Sequence, residues 1–243
     1  MQKVLLITGA SSEVGMQLLE SSYHDYEVIY AQYCHMNEKL EQLLHRLQNE
    51  VKIVPIQADF LDIVQVEKMI SQIKETGQLP NHIVHLPFPK VYNTHFHKDA
   101  WENYANGWEI SVHAIFMLLQ AFIPAMAKSR YGRIVFMLTS NTVNDPAKYQ
   151  AGYVTVKYAL LGLMKALSVE YAAKGITVNG ISPDMMETKF LSELPHLIIE
   201  QNAANSPIGR NVRIEEIIPV FQYLLSDVGA AITGENIAIR GGL

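Results

Sequence analysis

Short apolar runs alternate along the chain with longer segments of helical periodicity. The runs are rich in β-branched residues and predict strands at Val4–Ile7, Val28–Tyr30, Ile53–Ile56, Ile83–Val84, Ile134–Leu138, Thr177–Ile181 and Ile237–Ile239. Amphipathic segments lie between them, such as Asn37–Gln48 with its regularly spaced leucines. Strand–helix alternation of this kind builds right-handed crossovers. We therefore predict an α/β fold, a doubly wound (Rossmann-type) and mostly parallel sheet with helices on both faces.

Length and composition refine this prediction. With 243 residues, 49% of them apolar, the chain suits one large core, so we expect a single domain over residues 1–243. A net charge of −5 without long like-charge runs argues against a nucleic-acid partner. No run of apolar residues approaches the roughly 18 that a membrane span needs, and Val4–Ile7 is too short for a signal-peptide core, so we expect a cytoplasmic protein. The lone Cys34 cannot form an internal disulfide.

The first predicted strand ends in a glycine-containing turn. Thr8–Gly15 reads TGASSEVG, and Met16–Ser22 has a helical pattern. Such a turn points backbone N–H groups and a helix N-terminus at a diphosphate. A nucleotide-binding turn is favoured by its position, and the alternative is an ordinary βα turn that uses Gly9 for its positive φ. The candidate cofactor-binding residues of the turn are Gly9, Ser11, Ser12, Val14 and Gly15.

Two further positions bear on the nucleotide. Asp59 follows the third predicted strand, where its carboxylate either accepts a hydrogen bond from an adenine amine or caps the next helix. The second strand ends in Tyr30–His35 without the carboxylate that grips the ribose in many NAD enzymes. NADP(H) is therefore favoured over NAD(H). The preference is slight, because neither Ser12 nor residues 31–35 supply an Arg or Lys for the extra phosphate.

A tyrosine–lysine pair forms the second group of candidate residues. Tyr153 and Lys157 are four residues apart at the start of a predicted helix, so both side chains project from one face. An ammonium in that position is expected to lower the phenol pKa and to make Tyr153 a proton donor. Ser140, thirteen residues upstream, is expected to hydrogen-bond a substrate carbonyl. Thr139 is the alternative hydroxyl.

In this order, the residues resemble the classical short-chain dehydrogenase/reductases, and above all their 3-oxoacyl-acyl-carrier-protein reductase branch. The resemblance covers essentially the whole chain. Its most specific parts are Thr8–Gly15, Tyr131–Val135, Ser140 with Tyr153 and Lys157, Gly175–Asn179, and the tail from Ile232 to Gly242.

The resemblance implies NAD(P)H-dependent reduction of a 3-oxoacyl thioester or a similar ketone. It implies that Tyr153 protonates the alkoxide, that Lys157 holds the nicotinamide ribose and that Ser140 orients the carbonyl. It further implies that Pro183 leads into a loop facing the nicotinamide, and that Thr188 contacts the carboxamide or a phosphate.

The family also implies a homotetramer. In the acyl-carrier branch it implies a basic docking pair, which falls on Arg130 and Lys174. Exposed basic residues before a turn are common, so a plain solvated surface is the alternative for this pair. The alternative functions are a sugar or secondary-metabolite dehydrogenase/reductase, a tailoring ketoreductase of a biosynthetic cluster, and a catalytically silent relative that binds a protein partner.

Four departures from the family pattern bear on activity. Glu13 replaces the central glycine of the phosphate turn, and His85–Phe88 replaces the family's Asn-Asn-Ala-Gly. Ser111 replaces the catalytic-relay asparagine, so the relay is expected to be altered and not abolished. Asp184 replaces the glycine after Pro183 and is expected to face outward, because a buried unpaired carboxylate is costly. A working enzyme remains the favoured interpretation, because the serine, tyrosine and lysine are intact.

Histidines and loops complete the list of candidates. The pairs His95 with His97 and His82 with His85 lack a third ligand at suitable spacing, so no metal site is predicted. The irregular stretches Pro87–Lys98 and Pro183–Pro207 follow strands and are expected at the cofactor edge and over the substrate. Apolar residues of the second stretch suit either an acyl chain or packing onto the body; they are Phe190, Leu191, Leu194, Leu197 and Ile198.

Overall fold

Seven parallel strands form one sheet in the order β3-β2-β1-β4-β5-β6-β7. The strands are β1 (Val4–Thr8), β2 (Val28–Tyr33), β3 (Lys52–Gln57), β4 (His82–His85), β5 (Gly132–Met137), β6 (Ile176–Pro183) and β7 (Asn236–Ile239). This computed structural model describes residues 2–242. All seven predicted strands are confirmed, with bounds that differ by at most three residues.

Helices cover both faces of the sheet, as predicted. They are α1 (Glu13–Ser22), α2 (Glu38–Leu47), α3 (Ile63–Glu75), α4 (Trp101–Trp108), α5 (Ala114–Ser129), α6 (Ala151–Tyr171), α7 (His196–Asn205) and α8 (Ile214–Leu225). One apolar layer includes Met69, Phe122 and Leu160 from α3, α5 and α6. The opposite layer includes Leu18 and Phe221 from α1 and α8. The continuous burial of β1 between these layers explains why its sequence is apolar at nearly every position.

The strand order reverses between β1 and β4. The chain moves outward from β1 to β3 and then returns to place β4 on the other side of β1. A crevice forms beyond the carboxyl ends of strands at such a switch point, and ligands of open α/β sheets bind there. Thr8 and His85 are register partners at these two strand ends. The glycine turn and the loop after β4 therefore meet at one edge of the sheet.

Helices α4 and α5 are joined by a π-helical turn at Glu109–His113. The resulting run, Trp101–Ser129, is 29 residues long with a mean hydropathy of 1.8 over its most apolar window, which is enough to cross a membrane by length and composition. The expectation that no stretch suits a membrane span was therefore wrong for this segment by length and composition. Half of that window is buried inside the domain, and Leu118 and Phe122 are fully enclosed. The run packs as a core helix of the α/β domain.

Two local predictions were wrong in extent. Helix α1 begins at Glu13, before the predicted start, because Ser12 caps it by accepting a hydrogen bond from the Gly15 N–H. The predicted irregular stretch after Pro183 contains α7, which has no buried residue and hence no apolar stripe in its sequence. We call residues 185–207 the lid.

Candidate active site

Two glycines shape the turn between β1 and α1. Gly9 has a φ of +74°, in the left-handed region that favours glycine. A Cβ on Gly15 would lie 2.6 Å from the Gly9 carbonyl oxygen and 2.8 Å from Cα of Ala10. Only glycine allows the helix to approach the strand this closely. The first N–H groups of α1 lack helical acceptors, as at any helix start, so the turn fits an anion such as a diphosphate.

The Ser12 and Val14 side chains of this turn are occupied by contacts within the protein, whereas Ser11 is held by its backbone carbonyl. Ser12 Oγ donates to the Gly9 carbonyl at 2.8 Å and accepts from the Gly15 N–H at 3.0 Å. The Ser11 carbonyl accepts from Asn37 Nδ2 at 2.9 Å. The Val14 side chain is buried in the core. Backbone groups therefore remain as the principal anion donors of this turn, and contacts of the two serine hydroxyls with phosphate stay predictions.

Gln32, at the end of β2, was missed by the sequence analysis. Its Oε1 accepts from the Gly9 N–H at 2.8 Å, and its Nε2 donates to the Ala58 carbonyl at 2.8 Å. The side chain is buried. This amide joins the glycine turn to the loop after β3 and fixes both. A lone glutamine in a strand gives no sequence signal for such a contact.

Asp59 lies in that loop after β3. It does not cap α3, because the N-cap is Asp62, whose side chain accepts from the Val64 N–H at 3.0 Å. The helix-capping interpretation of Asp59 was therefore wrong. Asp59 Oδ1 accepts from the Leu61 N–H at 2.9 Å, within its own turn. Its contact with adenine stays a prediction.

The catalytic pair lies on α6 beside the end of β5. Lys157 is buried, and its Nζ donates to the Met137 carbonyl at 2.8 Å and lies 5.8 Å from the centroid of the Tyr153 ring. Burial raises the pKa of Tyr153 to about 12 and lowers the pKa of Lys157 to about 7. The expected lowering of the phenol pKa by the ammonium was wrong, because desolvation dominates both groups.

Two neighbouring hydroxyls after β5 have different partners. Thr139, 7% exposed, lies beside the Tyr153 phenol and favours its ionised form, which offsets part of the burial-induced rise in the pKa of Tyr153. Ser140 Oγ instead donates to Asp184 Oδ1 at 3.1 Å. The structure thus brings Thr139 to the tyrosine, whereas the sequence spacing favoured Ser140.

Asp184 does not face outward as expected. It is half-buried, and besides the bond from Ser140 its Oδ2 accepts from Asn202 Nδ2 at 3.1 Å. Two polar donors therefore compensate the carboxylate. Since Asn202 lies on α7, Asp184 connects the end of β6 to the lid.

His85 holds the loop after β4 in place. Its Nε2 lies 2.9 Å from the Ser111 carbonyl and its Nδ1 lies 2.8 Å from Thr8 Oγ1. Because a carbonyl only accepts, Nε2 carries the hydrogen and Nδ1 accepts from the threonine. Burial lowers the pKa of His85 to about 3, so the ring is neutral. Ser111 Oγ donates to the Pro87 carbonyl at 2.8 Å, so this hydroxyl, the candidate for the altered relay, serves the same loop.

Phe88 covers the catalytic pair. Its ring meets the Tyr153 ring edge to face, with centroids 4.8 Å apart, and Lys157 Nζ lies 5.3 Å from its centroid. Phe190 of the lid lies 6.3 Å from both aromatic rings. Leu191 of the lid is buried in the same apolar cluster. The lid is therefore closed over Tyr153.

The remaining candidates in this region lie on β6 and the lid. Pro183 is the last residue of β6. The Thr188 N–H donates to the Met186 carbonyl at 2.8 Å. The next residue, Lys189, donates its N–H to Glu13 Oε2 at 2.9 Å. The structure thus brings the start of the lid to the glycine turn, and the contact of Thr188 with the carboxamide or a phosphate stays a prediction.

Arg130 and Lys174 lie at the amino ends of the strands, opposite the glycine turn. Arg130 follows α5, and its Nη2 donates to the Ala173 carbonyl at 2.9 Å, which places the two basic residues at one corner. That corner adjoins the amino ends of β5 and β6. Tyr153 and Lys157 adjoin the carboxyl ends, so the basic pair does not border the catalytic residues of its own chain.

The histidine pairs have other partners. His82 Nδ1 lies 2.9 Å from the Tyr26 hydroxyl and Nε2 lies 3.0 Å from the Tyr131 hydroxyl. Tyr131 donates to Asp227 at 2.9 Å, so His82 donates to Tyr131 and accepts from Tyr26. Burial lowers the pKa of His82 to about 3. His82 and His85 occupy opposite ends of β4 and do not form a ligand pair.

A sequence model of one protein family, described as enoyl-(acyl carrier protein) reductase, matches residues 21–243. The chain belongs to the short-chain dehydrogenase/reductase family and is an oxidoreductase of that family.

Two curated relatives align over nearly the whole chain. The 3-oxoacyl-(acyl-carrier-protein) reductase FabG of Staphylococcus aureus is 27% identical over 251 aligned residues, covering 100% of this chain and 98% of that protein. The 3alpha-hydroxysteroid dehydrogenase of Mediterraneibacter gnavus is 27% identical over 243 aligned residues, covering 98% and 96%. Equal similarity to enzymes with different substrates supports the reaction class and leaves the substrate unassigned.

A solved structure of similar shape supports the fold. The gluconate 5-dehydrogenase from Burkholderia cenocepacia in complex with NADP and tartrate has a TM-score of 0.89 at 19% identity. The match covers 100% of this chain and 96% of that chain.

Proposed function

We propose that the chain is a single-domain NAD(P)H-dependent carbonyl reductase that acts on a 3-oxoacyl thioester or a similar ketone. The observation that carries the proposal is the buried contact of Thr139 with Tyr153, next to Lys157 and at the same sheet edge as the glycine turn. In this proposal Tyr153 donates the proton, and Thr139 takes the carbonyl-orienting role that the sequence spacing predicted for Ser140.

The residues present fit a nicotinamide dinucleotide. The left-handed Gly9 and the close packing of Gly15 leave the backbone of the turn open to a diphosphate. When bound, the cofactor supplies the hydride. In this proposal Lys157 holds its ribose, and the Asp59 carboxylate accepts a hydrogen bond from the adenine amine. The lack of a carboxylate at the end of β2, where Gln32 is found, favours NADP(H) slightly over NAD(H).

Tyr153 can deliver a proton because its hydroxyl stays protonated at neutral pH, with a pKa raised to about 12 by burial. A phenol of this strength is still far more acidic than an alcohol, so protonation of an alkoxide is downhill. The closed lid excludes water from this transfer.

Apolar side chains around Tyr153 support an acyl or other apolar substrate. Phe88, Phe190 and Leu191 line this region. Docking of a carrier protein at Arg130 and Lys174 gains no support within one chain, because that corner lies at the amino ends of the strands and Tyr153 lies at their carboxyl ends. A carrier-bound substrate would need the basic corner of a neighbouring subunit.

We further propose a cytoplasmic homotetramer. Helices α4 to α6 expose large apolar side chains, among them Trp101 at 70% and Val169 at 82%. Exposed apolar patches of this kind mark protein interfaces. Size-exclusion chromatography with light scattering measures the assembly directly, and a monomer at micromolar concentration contradicts this part of the proposal.

A second candidate function is that of a catalytically silent relative that binds a protein partner. The contact of Glu13 with Lys189 favours it, because a carboxylate lies at the phosphate turn. The alternative is that the sequence of the phosphate turn has drifted without loss of cofactor binding. The intact tyrosine and lysine favour this alternative.

Calorimetric titration with NADPH and with NADH separates the two candidates. The wild type and Tyr153→Phe are both expected to bind, because the phenol hydroxyl serves proton transfer more than cofactor affinity. In a screen of ketones that includes 3-oxoacyl thioesters, only the wild type is expected to turn over. Absence of binding at millimolar concentration refutes the reductase proposal and favours the silent partner protein.

A further inference from the structure

Glu13 connects the phosphate turn to the lid. It is the first residue of α1, directly after the N-cap Ser12, and its Oε2 accepts the hydrogen bond of the Lys189 N–H at 2.9 Å. The N-terminal end of a helix favours negative charge, because its first N–H groups have no helical acceptor. A carboxylate of the protein itself therefore lies where the turn is expected to bind a diphosphate.

The rest of the lid is held by contacts of a different kind. Asn202 of α7 donates to Asp184, which anchors the far half of the lid to β6. Leu191 and Leu194 are buried against Val91 in an apolar cluster. These contacts lie away from the phosphate turn, so an anion at that turn leaves them intact. The Glu13 contact is the one that a diphosphate would meet directly.

We propose that Glu13 is an internal competitor of the cofactor's diphosphate: its carboxylate holds the start of the lid through the Lys189 N–H, and a diphosphate bound at the turn displaces it. The proposal rests on the proposed nucleotide-binding function. Two like unit charges about 4 Å apart in water repel each other with an energy that corresponds to roughly a fivefold loss of cofactor affinity. A diphosphate carries more than one charge, so displacement of Glu13 couples cofactor binding to release of the start of the lid at Lys189, while the far half of the lid stays anchored.

The test compares Glu13→Gly and Glu13→Gln with Glu20→Gln. Glu20 lies on the same helix and pairs with Arg46, so its substitution removes the same charge without touching the lid. Two quantities are measured: the dissociation constants for NADPH and NADH by calorimetry, and the rate of trypsin cleavage after the exposed Lys189 in cofactor-free protein. Thermal unfolding confirms that each variant is folded.

Glu13→Gly is expected to bind cofactor at least tenfold more tightly and to be cleaved at least threefold faster after Lys189. Glu13→Gln keeps an acceptor for the Lys189 N–H but loses the charge, so its affinity is expected to rise while its cleavage rate stays within twofold of the wild type. Glu20→Gln is expected to stay within twofold in both measurements.

Unchanged affinity and cleavage in Glu13→Gly overturn the competitor role and leave the reductase proposal standing. An equal gain of affinity in Glu20→Gln also overturns it, because the effect is then one of overall charge. If cleavage is faster in Glu13→Gly but no protein binds either cofactor, the lid contact is supported and the nucleotide-binding function fails.

Discussion

Two buried neutral histidines predict that the protein loses stability in mildly acidic solution. Burial lowers the pKa of His82 and of His85 to about 3, whereas an unfolded chain has a histidine pKa of about 6.5. Below the unfolded value the unfolded state takes up protons that the folded state does not, so stability falls as the pH falls from about 6.5 towards 3. Above pH 7 neither histidine contributes to the pH dependence.

The size of this effect follows from linkage. At pH 5 the unfolded histidine is mostly protonated and the folded one is not, which costs about 2 kcal/mol for each residue. The two residues together are expected to lower the free energy of unfolding by about 4 kcal/mol between pH 7.5 and pH 5. This is a large fraction of the total stability of a typical domain, about 5–15 kcal/mol.

Urea denaturation followed by circular dichroism at the two pH values measures the effect. His82→Gln is expected to be less stable than the wild type at pH 7.5, because the amide cannot reproduce both tyrosine contacts. Its loss of stability between pH 7.5 and pH 5 should be smaller than that of the wild type by about 2 kcal/mol. His97→Gln, at an exposed position, is the control and should keep the wild-type pH dependence. Equal pH dependence in the wild type and His82→Gln refutes the reasoning.

The remaining predictions concern the catalytic hydroxyl and the glycine turn. Thr139→Val is expected to lower kcat at least 100-fold with cofactor affinity within twofold of the wild type, and Thr139→Ser should restore most of the rate. Ser140→Ala should retain at least a tenth of the wild-type activity. Steady-state kinetics measures these rates, and a larger loss of kcat in Ser140→Ala than in Thr139→Val reverses the assignment. Gly15→Ala is expected to destabilise the protein by about 1–3 kcal/mol, because its Cβ meets backbone atoms. Gly162→Ala, in an open position of α6, should stabilise it by about 0.5–1 kcal/mol; equal unfolding midpoints for these two variants contradict the packing argument.

The inner strands of the sheet were predictable because they are buried on both faces. Strands such as β1 are apolar at almost every position, so their sequence identifies them without knowledge of their neighbours. The glycine turn and the spacing of Tyr153 and Lys157 are local patterns of the same kind. Helix α7 gave no such pattern, because none of its residues is buried.

The details of the candidate site depend on contacts between distant residues. Glu13 and Lys189 are 176 positions apart, so no local pattern indicates that the carboxylate meets the lid. His85 meets the carbonyl of Ser111 through a loop of irregular structure. The choice between Thr139 and Ser140 depends on the local path of the chain after β5, where a short 3-10 turn begins at Ser140. Counting residues cannot resolve adjacent hydroxyls in such a turn.

The role of Gln32 restricts how this enzyme could be engineered. The end of β2 is the usual place at which an acidic residue selects NAD over NADP. Here the Gln32 amide both accepts from the Gly9 N–H and donates to the Ala58 carbonyl. An aspartate is too short to span both partners, and a glutamate would set a carboxylate against the Ala58 carbonyl oxygen. Redesign of coenzyme preference should therefore leave Gln32 unchanged and begin at the more exposed residues that follow it, from Tyr33 to His35.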